Sequence, residues 1–286
     1  MPRVRQILFV APAPIVWARH VKSFERHGLE VETTQTASSD QIGQGLAAGT
    51  WDVGIGVVDN ILAWNADFDA GLRIAAQLER SQPMAFCALP GVTSLREAAS
   101  GTIGVDSVSN GFVLVLYRAL ARAGIERAAC TFSAVGGVRQ RFEALGAGSI
   151  GATLLVPPFI DMALARGCTH LFDGAEHAPA YPGVVAASPA AWTQQHPEAA
   201  SAYRLALLEA NRWARDPAHA EEAKAALTSA GYSPAAAQRL VASAVDALAV
   251  SREGWDETVA LRREAGLLAR EPRYDAVVEP AAQPDK

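Results

Sequence analysis

Residues 47–60 read Ala47-Ala48-Gly49-Thr50-Trp51-Asp52-Val53-Gly54-Ile55-Gly56-Val57-Val58-Asp59-Asn60. Gly49 marks the stop of a helix, where glycine is the usual residue. The run from Asp52 to Val58 is short and apolar, which predicts a buried strand. Asp59-Asn60 then places a polar pair where the next helix opens. The same logic returns about a hundred residues later in Ala144-Leu145-Gly146-Ala147-Gly148-Ser149-Ile150-Gly151-Ala152-Thr153-Leu154-Leu155-Val156-Pro157-Pro158. Two αβα units, each with a strand whose carboxyl end opens into a helix N-terminus, predict two similar lobes around a cleft. Such a cleft suits a small polar or anionic molecule.

The chain has 286 residues, half of them apolar and 19% charged, enough to bury a full core in one large domain or two ordinary ones. A net charge of −5, with basic residues scattered rather than clustered, argues against nucleic acid as a partner. Cys87, Cys130 and Cys168 are widely spaced in apolar or small-residue contexts and read as small hydrophobes rather than a disulfide framework or zinc site. No metal or cofactor is expected. His20 and His27, His170 and His177, and His196 and His219 lack metal-ligand spacing. No stretch is long and apolar enough for a membrane span. The apolar run from Ile7 to Ile15 is broken by Pro12 and Pro14 and lacks a cleavage site. The expected location is therefore periplasmic if a signal precedes this start, and cytoplasmic otherwise.

Along the chain, strands are expected at 6–12, 29–36, 52–58, 72–78, 84–89, 102–106, 129–135, 150–156 and 170–172. Helices are expected at 15–27, 38–48, from 60, from 109 to 124, at 137–145 and from 157 to 167. The alternation predicts an α/β fold with largely parallel sheets. After Pro189 the texture changes to four alanine-rich helices, at 190–214, 218–230, 234–249 and 256–268, so the C-terminal portion is helical. Residues 279–286 read as a disordered tail.

The order of these elements resembles the type 2 periplasmic-binding-protein fold, and more narrowly the sulfonate-binding and thiamine-pyrimidine-synthase-like superfamily. Leu46-Ala47-Ala48-Gly49-Thr50-Trp51-Asp52-Val53-Gly54 resembles that family's "aLaaGevDvg". Ser94-Leu95-Arg96-Glu97 with Gly101-Thr102-Ile103-Gly104-Val105 resembles "slaDLkGKtIgv". Phe142 to Ala152 resembles "aLlaGqvDaa", and Pro157-Pro158-Phe159 resembles "ePf". The chain departs from the pattern at Ser149, which stands where the second copy has Asp. The cysteine-rich segment of the thiamine-pyrimidine synthases is missing, so consumption of an active-site histidine is not implied. The resemblance implies a discontinuous first lobe, residues 1–87 plus 187–278, and a second lobe at 88–186. It also implies hinge closure over a ligand at crossings near 83–89 and 181–188.

In such a fold the useful atoms come from loops at strand ends. Asp106-Ser107-Val108-Ser109-Asn110-Gly111 offers hydroxyl, amide and backbone donors for a carboxylate, sulfonate or phosphate, and Ser107 or Ser109 equally suits a plain N-cap. Gly136 and Gly137 permit a ligand close to the backbone, or form a tight turn. Asp59 and Asn60 suit a ligand hydroxyl or amine, or cap their own helix. Trp17 and Trp64 follow strand ends, where an indole can wall a ligand, though burial in the core is the commoner fate. Pro157 opens a helix, and Phe159 is placed to reach the cleft.

Two functions fit. The first is the solute-binding protein of an ABC-type importer, with a permease as partner and a small organic anion or an aromatic or nitrogenous metabolite as ligand. The second is a cytoplasmic enzyme on the same scaffold, a decarboxylase or dehydratase of a carboxylated small molecule. There Asp59 or Asp106 would be acid/base, and Ser109 with Asn110 would hold the carboxylate. A cytoplasmic sensor that passes lobe closure to a partner is a third. Whether catalysis occurs is left open at this point.

Overall fold

Strand β3 (Val53–Val57) is buried along its whole length. Helices cover both faces of its sheet, which explains an unbroken apolar run instead of alternation. The computed structural model describes residues 1–79, 83–244, 249–268 and 270–280. Its first sheet runs β2 (Glu30–Gln35), β1 (Arg3–Leu8), β3, β10 (Val184–Pro189), β4 (Leu72–Gln77). Its second sheet runs β7 (Thr131–Ala134), β6 (Thr102–Val105), β8 (Ala152–Leu155), β5 (Ala85–Ala88), β9 (Thr169–Asp173). The two orders are equivalent: in each, the fourth strand is antiparallel to its neighbours and is the first strand after a crossing between lobes. The fold is therefore a two-lobed α/β structure, with a mixed rather than wholly parallel sheet in each lobe.

One face of the first sheet packs against α1 (Ala13–His20), α2 (Ser23–Arg26), α11 (Pro197–Arg215), α12 (Ala220–Ser229) and α13 (Pro234–Ala242). The other face packs against α3 (Ser39–Ala47), α4 (Val58–Phe68), α14 (Arg252–Glu264) and α15 (Tyr274–Val277). Helix α10 (Ala190–Gln195) leads from β10 into α11. The second sheet has its own core with α5 (Leu95–Ala99), α6 (Val113–Arg122), α7 (Val138–Gly146), α8 (Phe159–Ala165) and α9 (Gly174–His177). Helix α14 touches both lobes. Arg118 of α6 pairs with Glu257 and, at 2.7 Å, with Glu264, while Arg262 reaches back to α4. Among the described residues, no helix is long and apolar enough to cross a membrane.

Several expectations are corrected. The helix expected at 15–27 is two helices, because Lys22 takes a left-handed φ of 55° between them. The helix expected at 190–214 divides at Pro197, whose missing N–H cannot continue the ladder. Helix α6 starts at Val113, and Ser109 to Phe112 form the turn before it. Strand β10 was expected only as a crossing. It is a central strand, so the first lobe resumes at Val184 rather than 187, and the second begins with β5 at Ala85 rather than 88. At the C-terminus, Glu279 donates its N–H to Ile74 O at 3.0 Å and pairs with Arg73, so the chain is held through Glu279, inside the expected tail. Residues 281–286, and 245–248 of the helix expected at 234–249, lie outside the described residues.

Gly56 shows why β3 contains glycine. A Cβ there would lie 2.8 Å from the Trp64 ring and 3.3 Å from Asn60 Oδ1. Trp64 is wholly buried and cannot swing aside. Gly56→Ala should therefore lower stability by about 1–3 kcal/mol, the cost of overpacking a filled core, measured as a fall in the urea midpoint at unchanged m-value.

Candidate functional site

The loops after β1, β3, β6, β7 and β8 meet between the lobes around a cavity of about 80 Å³. Lobe one supplies Phe9, Val10, Ile55, Gly56, Val57, Asn60 and Val184, and lobe two supplies Asp106, Gly111, Phe112, Gly137, Val138, Arg141 and Val156. The walls are mostly apolar, with polar groups at few points, as in small-molecule sites generally.

Asp106 and Arg141 form the charged part of the wall. Arg141 Nη1 lies 3.4 Å from Asp106 Oδ1 and donates to Gly136 O at 2.9 Å, and Nη2 donates to Leu154 O at 3.3 Å. Burial pushes the Asp106 carboxyl above its usual range, opposed by Arg141 and by the N–H groups of Asp106 and Ser107. Burial likewise lowers the Arg141 pKa, and Asp106 opposes it. The pair contributes no net charge to the cavity when both groups are ionised.

A second polar cluster ties the lobes together beside the cavity. Asp59 is fully buried at the start of α4. Its Oδ2 accepts the Gly111 N–H at 2.6 Å and its Oδ1 accepts Arg262 Nη1 at 3.0 Å. Burial raises the carboxyl from 3.8 to about 6, against the attraction of Arg262 and the Gly111 bond. Next to it, Asn60 accepts the Val57 N–H through Oδ1 and donates through Nδ2 to Asn110 Oδ1 at 2.9 Å. Ser39 donates to the same Asn110 oxygen at 3.2 Å and accepts Trp64 Nε1–H at 3.2 Å. Gly137 donates to Ala37 O at 3.0 Å on the other rim. Gly111 has to be glycine for two reasons: its φ is +78°, and a Cβ would lie 3.3 Å from Asn60 Nδ2.

Of the residues singled out from the sequence, Asn60, Asp106, Gly111 and Gly137 share the cavity wall. Asp59 and Asn110 do not line it; their polar atoms bond across the lobes instead. Ser107 accepts the Ser109 N–H, and Ser109 lies in an outer groove beside Arg262. Gly136 serves Arg141 through its carbonyl. Trp17 is not at the cleft: it is buried in lobe one and donates to Ala223 O at 3.1 Å. Trp64 lies behind β3, against Gly56, and supports the wall without forming it. Phe159 is buried under Phe142 and Arg139, and Pro157 lines a smaller neighbouring cavity. Sequence reading missed Arg141 and Arg262. Arg141 sits on a helix already expected at the cleft, so a lone buried cation there was findable; Arg262 is one of many arginines on the C-terminal helices.

This arrangement, two α/β lobes with a shared cavity at their strand ends, is that of the type 2 periplasmic-binding-protein fold. The chain belongs to the NMT1-like family, whose profile matches residues 7–228. It is similar in structure to a protein of Bordetella bronchiseptica RB50 (21% identity, TM-score 0.75, covering 96% of this chain and 91% of that one). It also resembles the alkanesulfonate-binding protein SsuA of Xanthomonas axonopodis pv. citri bound to MOPS (16% identity, TM-score 0.79, 97% and 98% covered). A third similar structure is the ligand-binding component of an ABC-type import system from Staphylococcus aureus, with zinc bound (15% identity, TM-score 0.78, 98% and 97% covered). No curated protein sequence matches.

Removing either partner of a buried ion pair strands the other. Asp59→Ala and Arg262→Ala should each cost about 3–5 kcal/mol, and the double variant clearly less than their sum, in a urea-unfolding double-mutant cycle. A sum equal to the two single losses would mean the groups act independently. Because its folded carboxyl holds a proton up to about 6, Asp59 makes stability fall as pH rises from about 4 to about 6 and adds no further slope above. Asp59→Ala should remove that part of the pH profile.

Proposed function

We propose that this protein is the solute-binding component of an ABC-type importer, holding a small organic molecule between its lobes and delivering it to a permease at the membrane. The observation that carries this reading is a cavity whose wall comes from both lobes, next to hydrogen bonds that run from one lobe to the other. Family membership and the import and sulfonate-binding roles of the similar structures support it. In this reading the protein works outside the cytoplasmic membrane.

Within the expected ligand classes, the local chemistry favours an aromatic or nitrogenous solute over an organic anion. The Gly111 N–H ahead of α6, the donor proposed for an anion, is taken by Asp59. The Asp106 and Ser107 N–H groups serve the Asp106 carboxylate. Apolar walls with Asn60 and the neutral Asp106–Arg141 pair suit a molecule with a flat apolar body and a few polar edges. The decarboxylase or dehydratase alternative has Asp106 as its acid/base candidate at the wall, since Asp59 is engaged across the lobes.

A thermal-shift screen of pyrimidines, aromatic carboxylates, sulfonates and amino acids tests the reading. A true solute at a hundred times its Kd should stabilise the protein by about 2.7 kcal/mol. Val138→Phe, which fills the cavity from the α7 side, should abolish that shift while leaving the unliganded protein folded by circular dichroism. Stabilisation that survives Val138→Phe would place the solute elsewhere, and conversion of the bound compound, seen by mass spectrometry, would make the protein an enzyme.

A further inference from the structure

Glu79 stands where the chain leaves lobe one. Its N–H and that of Leu78 both lie on Val184 O, at 3.3 and 2.8 Å. The carboxylate turns inward and accepts the Ala13 N–H at the start of α1, a helix whose N-cap residue Pro12 supplies no side-chain bond of its own. One oxygen, Oε2, is buried and has no hydrogen-bond partner among the described residues. A buried carboxylate oxygen left unpaired is costly, so its retention calls for a partner absent from the protein alone.

The space beside it has the right character. Glu79 lines a second cavity of about 50 Å³, together with Pro12, Pro157, Tyr232 and Leu240. Val10, Val156 and Val184 line both this cavity and the larger one, so the two adjoin along these valines. Apart from Glu79, the one polar side chain on the wall among the described residues is Tyr232, and its hydroxyl hydrogen goes to Ala11 O at 2.9 Å. With the Glu79 carboxyl ionised, both polar side chains present acceptors and no free donor. The remaining described wall residues are proline, valine and leucine. A guest here has to bring its own hydrogens.

We propose that Glu79 recognises a hydrogen-bearing nitrogen of the solute, an ammonium or amidine-type group seated in this side cavity while the rest of the molecule occupies the space between the lobes. The proposal rests on the interlobe cavity being the solute site. It narrows the ligand from a nitrogenous compound to one with an amino or amidino substituent on an apolar body. It also gives the binding a proton signature. Burial holds the free carboxyl up to about 7, with the Ala13 N–H pulling the other way, and Tyr232 is the other titratable group on the wall among the described residues. A cation arriving at pH 6 therefore displaces the carboxyl proton.

The test is calorimetry on the full chain with matched probes: 4-aminopyrimidine against pyrimidine, and acetamidine against acetate. The wild-type protein should bind each nitrogen-bearing probe at least about tenfold more tightly than its control. Acetamidine binding at pH 6 should release protons, read from titrations in buffers of different ionisation enthalpy. Glu79→Gln keeps an acceptor for the Ala13 N–H but turns an amide donor toward the cavity. It should erase the preference and the proton release while leaving pyrimidine binding unchanged. Pyrimidine binding with no gain from the amino group, or a gain that survives Glu79→Gln, overturns the assignment of Glu79 alone. Absence of binding by every probe to the wild-type protein removes the solute site and this assignment with it.

Discussion

The contact between the two lobes depends on one buried carboxylate. Asp59 comes from lobe one, accepts a backbone N–H from lobe two, and is neutralised by Arg262 from a helix that touches both. Three segments distant in sequence thus meet at one point. The interaction is short and sealed from water, so it is strong only while all three partners are present; withdrawing one leaves a charge or a donor without compensation. Asn60, Ser39 and Asn110 extend it into a small polar network, and Trp64 anchors that network to the core through Ser39. The cavity lies beside this cluster, so its shape is set by the same contacts that hold the lobes together.

The cluster also changes what the fold can bind. A loop leading into a helix, with backbone donors and small polar side chains, is a natural seat for an anion. Here the chain supplies its own. Asp59 occupies the Gly111 donor and Asp106 the donors a few residues earlier, which leaves an apolar wall with one amide and one internal ion pair.

The sequence made the lobes legible because β3 and β8 are short apolar runs between glycine stops, a pattern set by local backbone demands. Strand β10 escaped because Val184-Val185-Ala186-Ala187 is brief, weakly apolar and flanked by prolines, and only its pairing with β3 and β4 makes it a strand. Asn60, Asp106, Gly111 and Gly137 were findable as loop residues at strand ends. Trp17 was misplaced because a position near a strand end does not tell which way a helix faces; its indole meets α12, over two hundred residues on. Arg262 and Glu79 stayed hidden for the same reason. Each acquires meaning from partners remote in the chain, and a single sequence carries no sign of that distance.

The exchange of strands at the two crossings bears on synthesis. The second sheet is made wholly of residues 85–173 and can be complete once that stretch has left the ribosome. The first sheet cannot: β3 and β4 wait for β10 to be inserted between them, and helices that complete both of its faces, α11 to α15, follow β10 in the chain. The earlier-made lobe is therefore the later to finish, and its open strand edges need shelter from other nascent chains while the last third is translated.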